Sequence, residues 1–87
     1  MIPLNPYLIV INKLLVACRA SVYTLAQHAG IKPERILRLY RRNEVPSINL
    51  TMIICAAFNI KLSDFIEFVE EEQIDEEKSI PFFHRIQ

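Results

Sequence analysis

The sequence holds a single glycine, no tryptophan and only two cysteines in 87 residues. One glycine leaves no means of building a glycine-rich loop around phosphates. Cys18 and Cys55 lie far apart and form neither a metal-ligand spacing nor a disulfide framework, so both are expected to be reduced, core-filling thiols of a cytoplasmic protein. His28 and His84 stand outside any Cys/His cluster, and neither a metal nor a cofactor is expected. Nothing pairs a nucleophile with a base or one carboxylate with another, which argues against an enzyme. No stretch alternates polar and apolar residues long enough to argue a strand.

Long apolar runs are also missing. The run "YLIVINKLLVAC" ends in Leu15-Val16-Ala17-Cys18, which looks like a lipoprotein cleavage box. No Lys or Arg precedes it, Asn12 and Lys13 interrupt it, and it is too short to span a bilayer. It reads as an amphipathic first helix, and no membrane partner is expected.

Acidic residues are almost absent from one half of the chain. Residues 1–43 carry seven Lys/Arg against Glu34 alone, a net +6, and residues 44–87 carry Lys61, Lys78 and Arg85 against nine acids, a net −6. The neutral total therefore conceals a face suited to a polyanion and a separate acidic segment. Lys32, Arg35, Arg38, Arg41 and Arg42 crowd into the stretch "AGIKPERILRLYRRN".

Periodicity and capping signals place five helices. Asn5 caps the first and Pro6 opens it, with Leu8, Ile11, Leu14, Leu15 and Cys18 recurring on one side. Ser21 caps a short second helix that reaches His28 and leaves through Gly30, at a turn where positive φ is cheapest as glycine. Pro33 begins the third, whose inner face is Ile36, Leu39 and Tyr40 while Glu34, Arg35, Arg38 and Arg42 point away. Asn43 suits a left-handed closure, and Pro46 stops continuation. A fourth helix is expected from about Ser47 to Phe58 and a fifth from about Ser63, its cap, to Glu72. The reading is all-α, with residues 1–72 as the domain and 73–87 as a C-terminal extension.

A short helix, a turn on one glycine and a second helix with a basic outer face make a helix-turn-helix, whose second helix enters the DNA major groove. From about Ile11 to Phe65 the chain resembles the XRE-type, Cro/cI-like phage repressor family. "ASVYTLA" stands for the family's "LS-x-x-x-LA", Gly30-Ile31-Lys32 for its "GIS" turn, and Ile36 with Leu39 for its third-helix apolar pair. Pro46-Ser47-Ile48 stands for "PS-L", and Ile54, Cys55, Phe58 and Ile60 for "IA-x-x-L-x-V", with Phe65 closing the pattern. The resemblance implies a five-helix, lambda-repressor-like fold and a small transcriptional regulator, a repressor of phage, plasmid or bacterial type, bound to double-stranded DNA.

By this register Lys32, Glu34 and Arg38 are the base-edge candidates, and Arg35, Arg41, Arg42 and Asn43 complete the expected DNA-binding set near the backbone. Three family features are replaced. An Arg/Glu pair joining the first and third helices becomes Leu15 and Tyr40, a phosphate-binding Gln becomes Val22, and a polar base reader becomes Pro33. A second reading follows from Val22 and Pro33: a protein-interaction module that keeps the fold without reading an operator.

In the fourth helix "INLTMIICAAF" only Asn49 and Thr51 are polar, leaving Met52, Ile53 and Ala56 apolar where a surface helix shows polar residues. Either a second copy of the chain, giving a homodimer, or the tail residues Ile80, Phe82, Phe83 and Ile86 is expected to cover them. The acidic stretch Glu67–Glu77 reads as a solvated helix end and linker, or as a competitor with DNA for the basic face.

Overall fold

In a computed structural model the structure describes residues 3–77. Those residues form five helices and no strand: α1 (Pro6–Cys18), α2 (Val22–Ala29), α3 (Pro33–Arg42), α4 (Ile48–Phe58) and α5 (Leu62–Glu77). This is the all-α architecture expected. The tail residues Ile80, Phe82, Phe83 and Ile86 lie outside the described residues. Among the described residues no single helix is long and apolar enough to cross a membrane.

Side chains start three of the helices. The Leu8 N–H donates to Asn5 Oδ1 at 3.1 Å, the Thr24 N–H to Ser21 Oγ at 3.2 Å and the Leu50 N–H to Ser47 Oγ at 3.2 Å, each satisfying a donor that the first turn orphans. α3 has no side-chain cap; Pro33 at its start has no N–H to satisfy, and Glu34 lies in its first turn.

The first four helices end alike, in a residue at left-handed φ: Arg19 (53°), Gly30 (72°), Asn43 (52°) and Asn59 (61°). In each case the next residue donates its N–H back into the helix, Ala20 to Leu15, Ile31 to Ala26, Glu44 to Leu39 and Ile60 to Cys55, at 2.9–3.0 Å. These are Schellman closures. Gly30 and Asn43 behave as their residue types predict, whereas Arg19 has neither glycine's missing β-carbon nor asparagine's short polar side chain to ease a left-handed φ.

The closure at Asn59 corrects the expected start of α5. Ile60 is tied back to Cys55, and the Phe65 N–H bonds the Lys61 carbonyl at 3.0 Å, so the helix begins at Leu62 and Ser63 lies exposed within its first turn. The expected end at Glu72 is also short. No Gly or Pro interrupts the Glu-rich run, and α5 continues to Glu77.

Packing places α1 against α5, α2 against both α3 and α4, and α4 against α5. Leu8, Ile11, Ala26, Ile36, Ile54 and Phe65 are fully buried at the shared core, and the Tyr7 ring tilts 43° to that of Phe65, centroids 6.2 Å apart. Cys55 belongs to this core, and burial pushes its thiol pKa up. Cys18 does not. It is exposed at the end of α1, on the wall of a cleft shared with Leu25, His28 and Phe58, because the core beneath α1 ends at Leu15.

Candidate nucleic-acid interface

Gly30, Ile31 and Lys32 join α2 to α3, and the turn is held by Ile31, which is half-buried and donates to the Ala26 carbonyl at 3.0 Å. α3 then buries Ile36 and Leu39 and exposes Glu34, Arg35, Arg38, Arg41 and Arg42. At about 100° per residue these five side chains fall within roughly 120° of arc. The four expected arginines thus share one surface, and Lys32 is exposed at the N-cap of the same helix.

The charges on that surface are in different states. Arg41 Nη1 donates to Glu34 Oε1 at 2.8 Å, and Arg42 Nη1 stands 3.9 Å from Glu44 Oε2. Arg41, Arg42 and Glu34 are largely exposed and Glu44 is partly so, so these pairs hold the surface only weakly. Lys32, Arg35 and Arg38 take part in no ion pair among the described residues. Arg35 and Arg38 line a shallow groove of about 370 Å³ with Leu39, Glu44, Val45, Ser47 and Leu50, between α3 and the start of α4.

Asn43 is placed differently from the other expected contacts. Its Oδ1 accepts from the Asn5 N–H at 2.8 Å and from Asn5 Nδ2 at 3.1 Å, its carbonyl accepts from Asn5 Nδ2 at 3.2 Å, and its Nδ2 donates to the Pro3 carbonyl at 3.0 Å. The amide thus fastens the end of α3 to the chain leading into α1. Asn5 caps one helix and clasps another, a role its place before Pro6 does not announce.

The replaced family features are accounted for locally. Leu15 is buried, and Tyr40 is half-buried with its hydroxyl donating to Asn12 Oδ1 at 2.7 Å, so a neutral bond joins α1 to α3 where an ion pair would otherwise sit. Desolvation by burial raises the Tyr40 pKa to about 12. Val22 is half-buried and packs against the core. Tyr23, next to it, is 62% exposed. Sequence reading passed over Tyr23, although its place two residues before buried Leu25 puts it on the opposite side of α2.

α4 carries the second surface. Thr51, one of its two polar residues, is buried and donates its hydroxyl to the Ser47 carbonyl at 2.8 Å. Of the expected apolar residues, Met52 is 52% exposed, Ala56 is exposed and Ile53 is half-buried. Ile48 and Val45, which were not anticipated, extend the same stripe at 58% and 56% exposure.

Among curated proteins and solved structures, none matches the chain. Residues 10–71 match the Cro/C1-type HTH DNA-binding domain. That span takes in the turn on Gly30, the basic arc of α3 and the apolar stripe of α4, and the chain accordingly belongs to the Cro/C1-type helix-turn-helix family of DNA-binding regulators.

Proposed function

We propose that the protein is a sequence-specific repressor that binds double-stranded DNA as a homodimer, with α3 in the major groove. The observation that carries this reading is the arc of exposed cations on α3, of which Lys32, Arg35 and Arg38 take part in no ion pair among the described residues. Lys32 and Arg38 reach base edges, Arg38 with two bonds to one guanine. Glu34 accepts from a cytosine amino group once Arg41 turns to a phosphate, an exchange that the exposed ion pair resists little. Arg35, Arg41 and Arg42 neutralise phosphates and supply salt-dependent affinity. Asn43 contributes by holding the helix end in register. α2, the first helix of the motif, crosses the backbone; Val22 offers no hydrogen bond there, and Tyr23 presents the exposed hydroxyl.

The stripe Val45, Ile48, Met52 and Ala56 supports dimerisation, since full burial stabilises by roughly 1.5–3 kcal/mol for each large aliphatic side chain. It begins beside Arg35 and Arg38, so a two-fold axis through it sets two basic arcs side by side, as paired half-sites require. Residues 1–72 form the DNA-binding unit in this reading, with 73–87 as an extension. Selection from random duplexes, with recovery of an enriched and two-fold-related sequence, is the test. Recovery of no sequence, together with absence of DNA binding at low salt, favours the second reading, a protein-interaction module. The apolar stripe and the packed Val22 are the features in its favour.

A further inference from the structure

A third concavity shares no lining residue with the Cys18 cleft or the Arg35–Arg38 groove. α1 and α5 leave a groove of about 250 Å³ between Val10, Leu14 and Phe68, rimmed by Lys13, Glu71 and Glu72. Phe68 is 38% exposed, an aromatic ring left partly in water on a helix that otherwise buries Phe65 and Val69. The Lys13 ammonium pairs with Glu72 across one side. On the α5 side the groove carries two carboxylates, Glu72 and the exposed Glu71.

The chain beyond Glu77 has matching chemistry. Residues 78–87 contain Ile80, Phe82, Phe83 and Ile86, with Lys78 and Arg85 charged, His84 titratable and no acid. We propose that this segment docks into the α1–α5 groove of its own chain, setting Phe82 and Phe83 against Val10, Leu14 and Phe68 and Arg85 beside Glu71.

Reach and charge both select this occupant. Phe68 lies nine residues before Glu77, about 13–14 Å along a helix that rises 1.5 Å per residue. Five or six extended residues after Glu77 cover about 17–21 Å, so Phe82 and Phe83 return to the level of Phe68. Pro81 bars a helix at that point and biases Ile80 toward extended backbone. The stripe on α4 is the competing surface, but it starts at Val45 in the groove lined by Arg35 and Arg38, where Lys78 and Arg85 would add like charge. The tail therefore takes the groove between α1 and α5 and leaves the α4 stripe for a second copy.

A double-mutant cycle on the full chain tests this. Phe82→Ala is combined in turn with Phe68→Ala and with Met52→Ala, and folding equilibria are measured in urea at two widely separated protein concentrations. An aromatic pair predicts a Phe82–Phe68 coupling of about two- to tenfold in the folding constant, equal at both concentrations, and none between Phe82 and Met52. Leu14→Ala replaces Phe68→Ala if the latter leaves too little folded protein. Coupling to Met52 instead, coupling to neither, or coupling that grows with concentration overturns the proposal, the last by assigning the groove to a second chain's tail.

Discussion

α3 and α4 have ten and eleven residues and both close on an asparagine at left-handed φ. Each buries a stripe in the same core, Ile36 and Leu39 from one and Leu50, Ile54 and Cys55 from the other. Their outer faces differ. α3 shows four arginines and Glu34, while α4 shows Ile48, Met52 and Ala56. Both inner faces add to one core, so what separates the helices is the partner each outer face can accept, a polyanion or another apolar surface.

The largest effects should come where the two helices are alike. Ile36→Ala and Ile54→Ala remove fully buried side chains, and each should lower unfolding free energy by about 2–5 kcal/mol in urea titrations. A large loss from only one would end the equivalence of the inner faces. On the outer faces the effects should separate. Arg38→Ala should reduce affinity for the selected DNA by about 1–3 kcal/mol and relax the preference at one base position. Arg42→Ala should weaken selected and random DNA alike and lower the salt slope by about one. Both should leave assembly untouched.

Met52→Asp sharpens the contrast from the other side. It should raise the dimer dissociation constant by about tenfold or more, equivalent to about 1.4 kcal/mol, with unchanged helicity. Sedimentation would settle this, and a wild-type chain that stays monomeric at every concentration would remove the dimer from the reading. The helix ends give a smaller difference: Asn43→Gly loses the three side-chain bonds to Asn5 and Pro3 while keeping the one to its carbonyl and should cost about 1 kcal/mol, whereas Asn59→Gly should change stability by only a few tenths of a kcal/mol, since glycine suits the left-handed position.

The effect confined to the narrowest window concerns pH. The Tyr40 pKa is raised to about 12 in the fold from an ordinary 10.0, so the neutral hydroxyl is the form the fold favours. Its contribution is complete below pH 10 and is lost as pH rises toward 12. Tyr40→Phe should flatten the stability profile within that window, read by thermal melts against wild type.

Much of this was legible because the signals were local. Asn5-Pro6, Ser21, Gly30, Pro33, Asn43 and Ser47 mark helix ends through their own backbone or side-chain preferences, and the arc on α3 follows from a period of 3.6. What escaped depends on distant partners. The pairing of Asn5 with Asn43 joins residues 38 apart, and no spacing rule links them. Arg19 carries no preference for left-handed φ, yet α1 closes there with the Ala20 N–H bonded to the Leu15 carbonyl. Ser63 suits a cap, but the closure at Asn59 had already fixed the start of α5. Cys18 keeps the α1 period and yet lines a cleft, because periodicity gives a direction and not the extent of the core. Val45 and Ile48 look like core residues until the neighbouring helices show that nothing covers them among the described residues.

The clasp between Asn5 and Asn43 has a mechanical consequence. Four hydrogen bonds link Pro3 and Asn5 to Asn43, so tension applied at the N-terminal side of Pro3 is transmitted to the end of α3 before α1 begins to unwind. Under load in an optical trap, DNA should be released at a lower force than the one that opens the core. Asn43→Gly should bring the two events closer together, since α3 would be held to the N-terminal chain by one of the four bonds, the one to its backbone carbonyl.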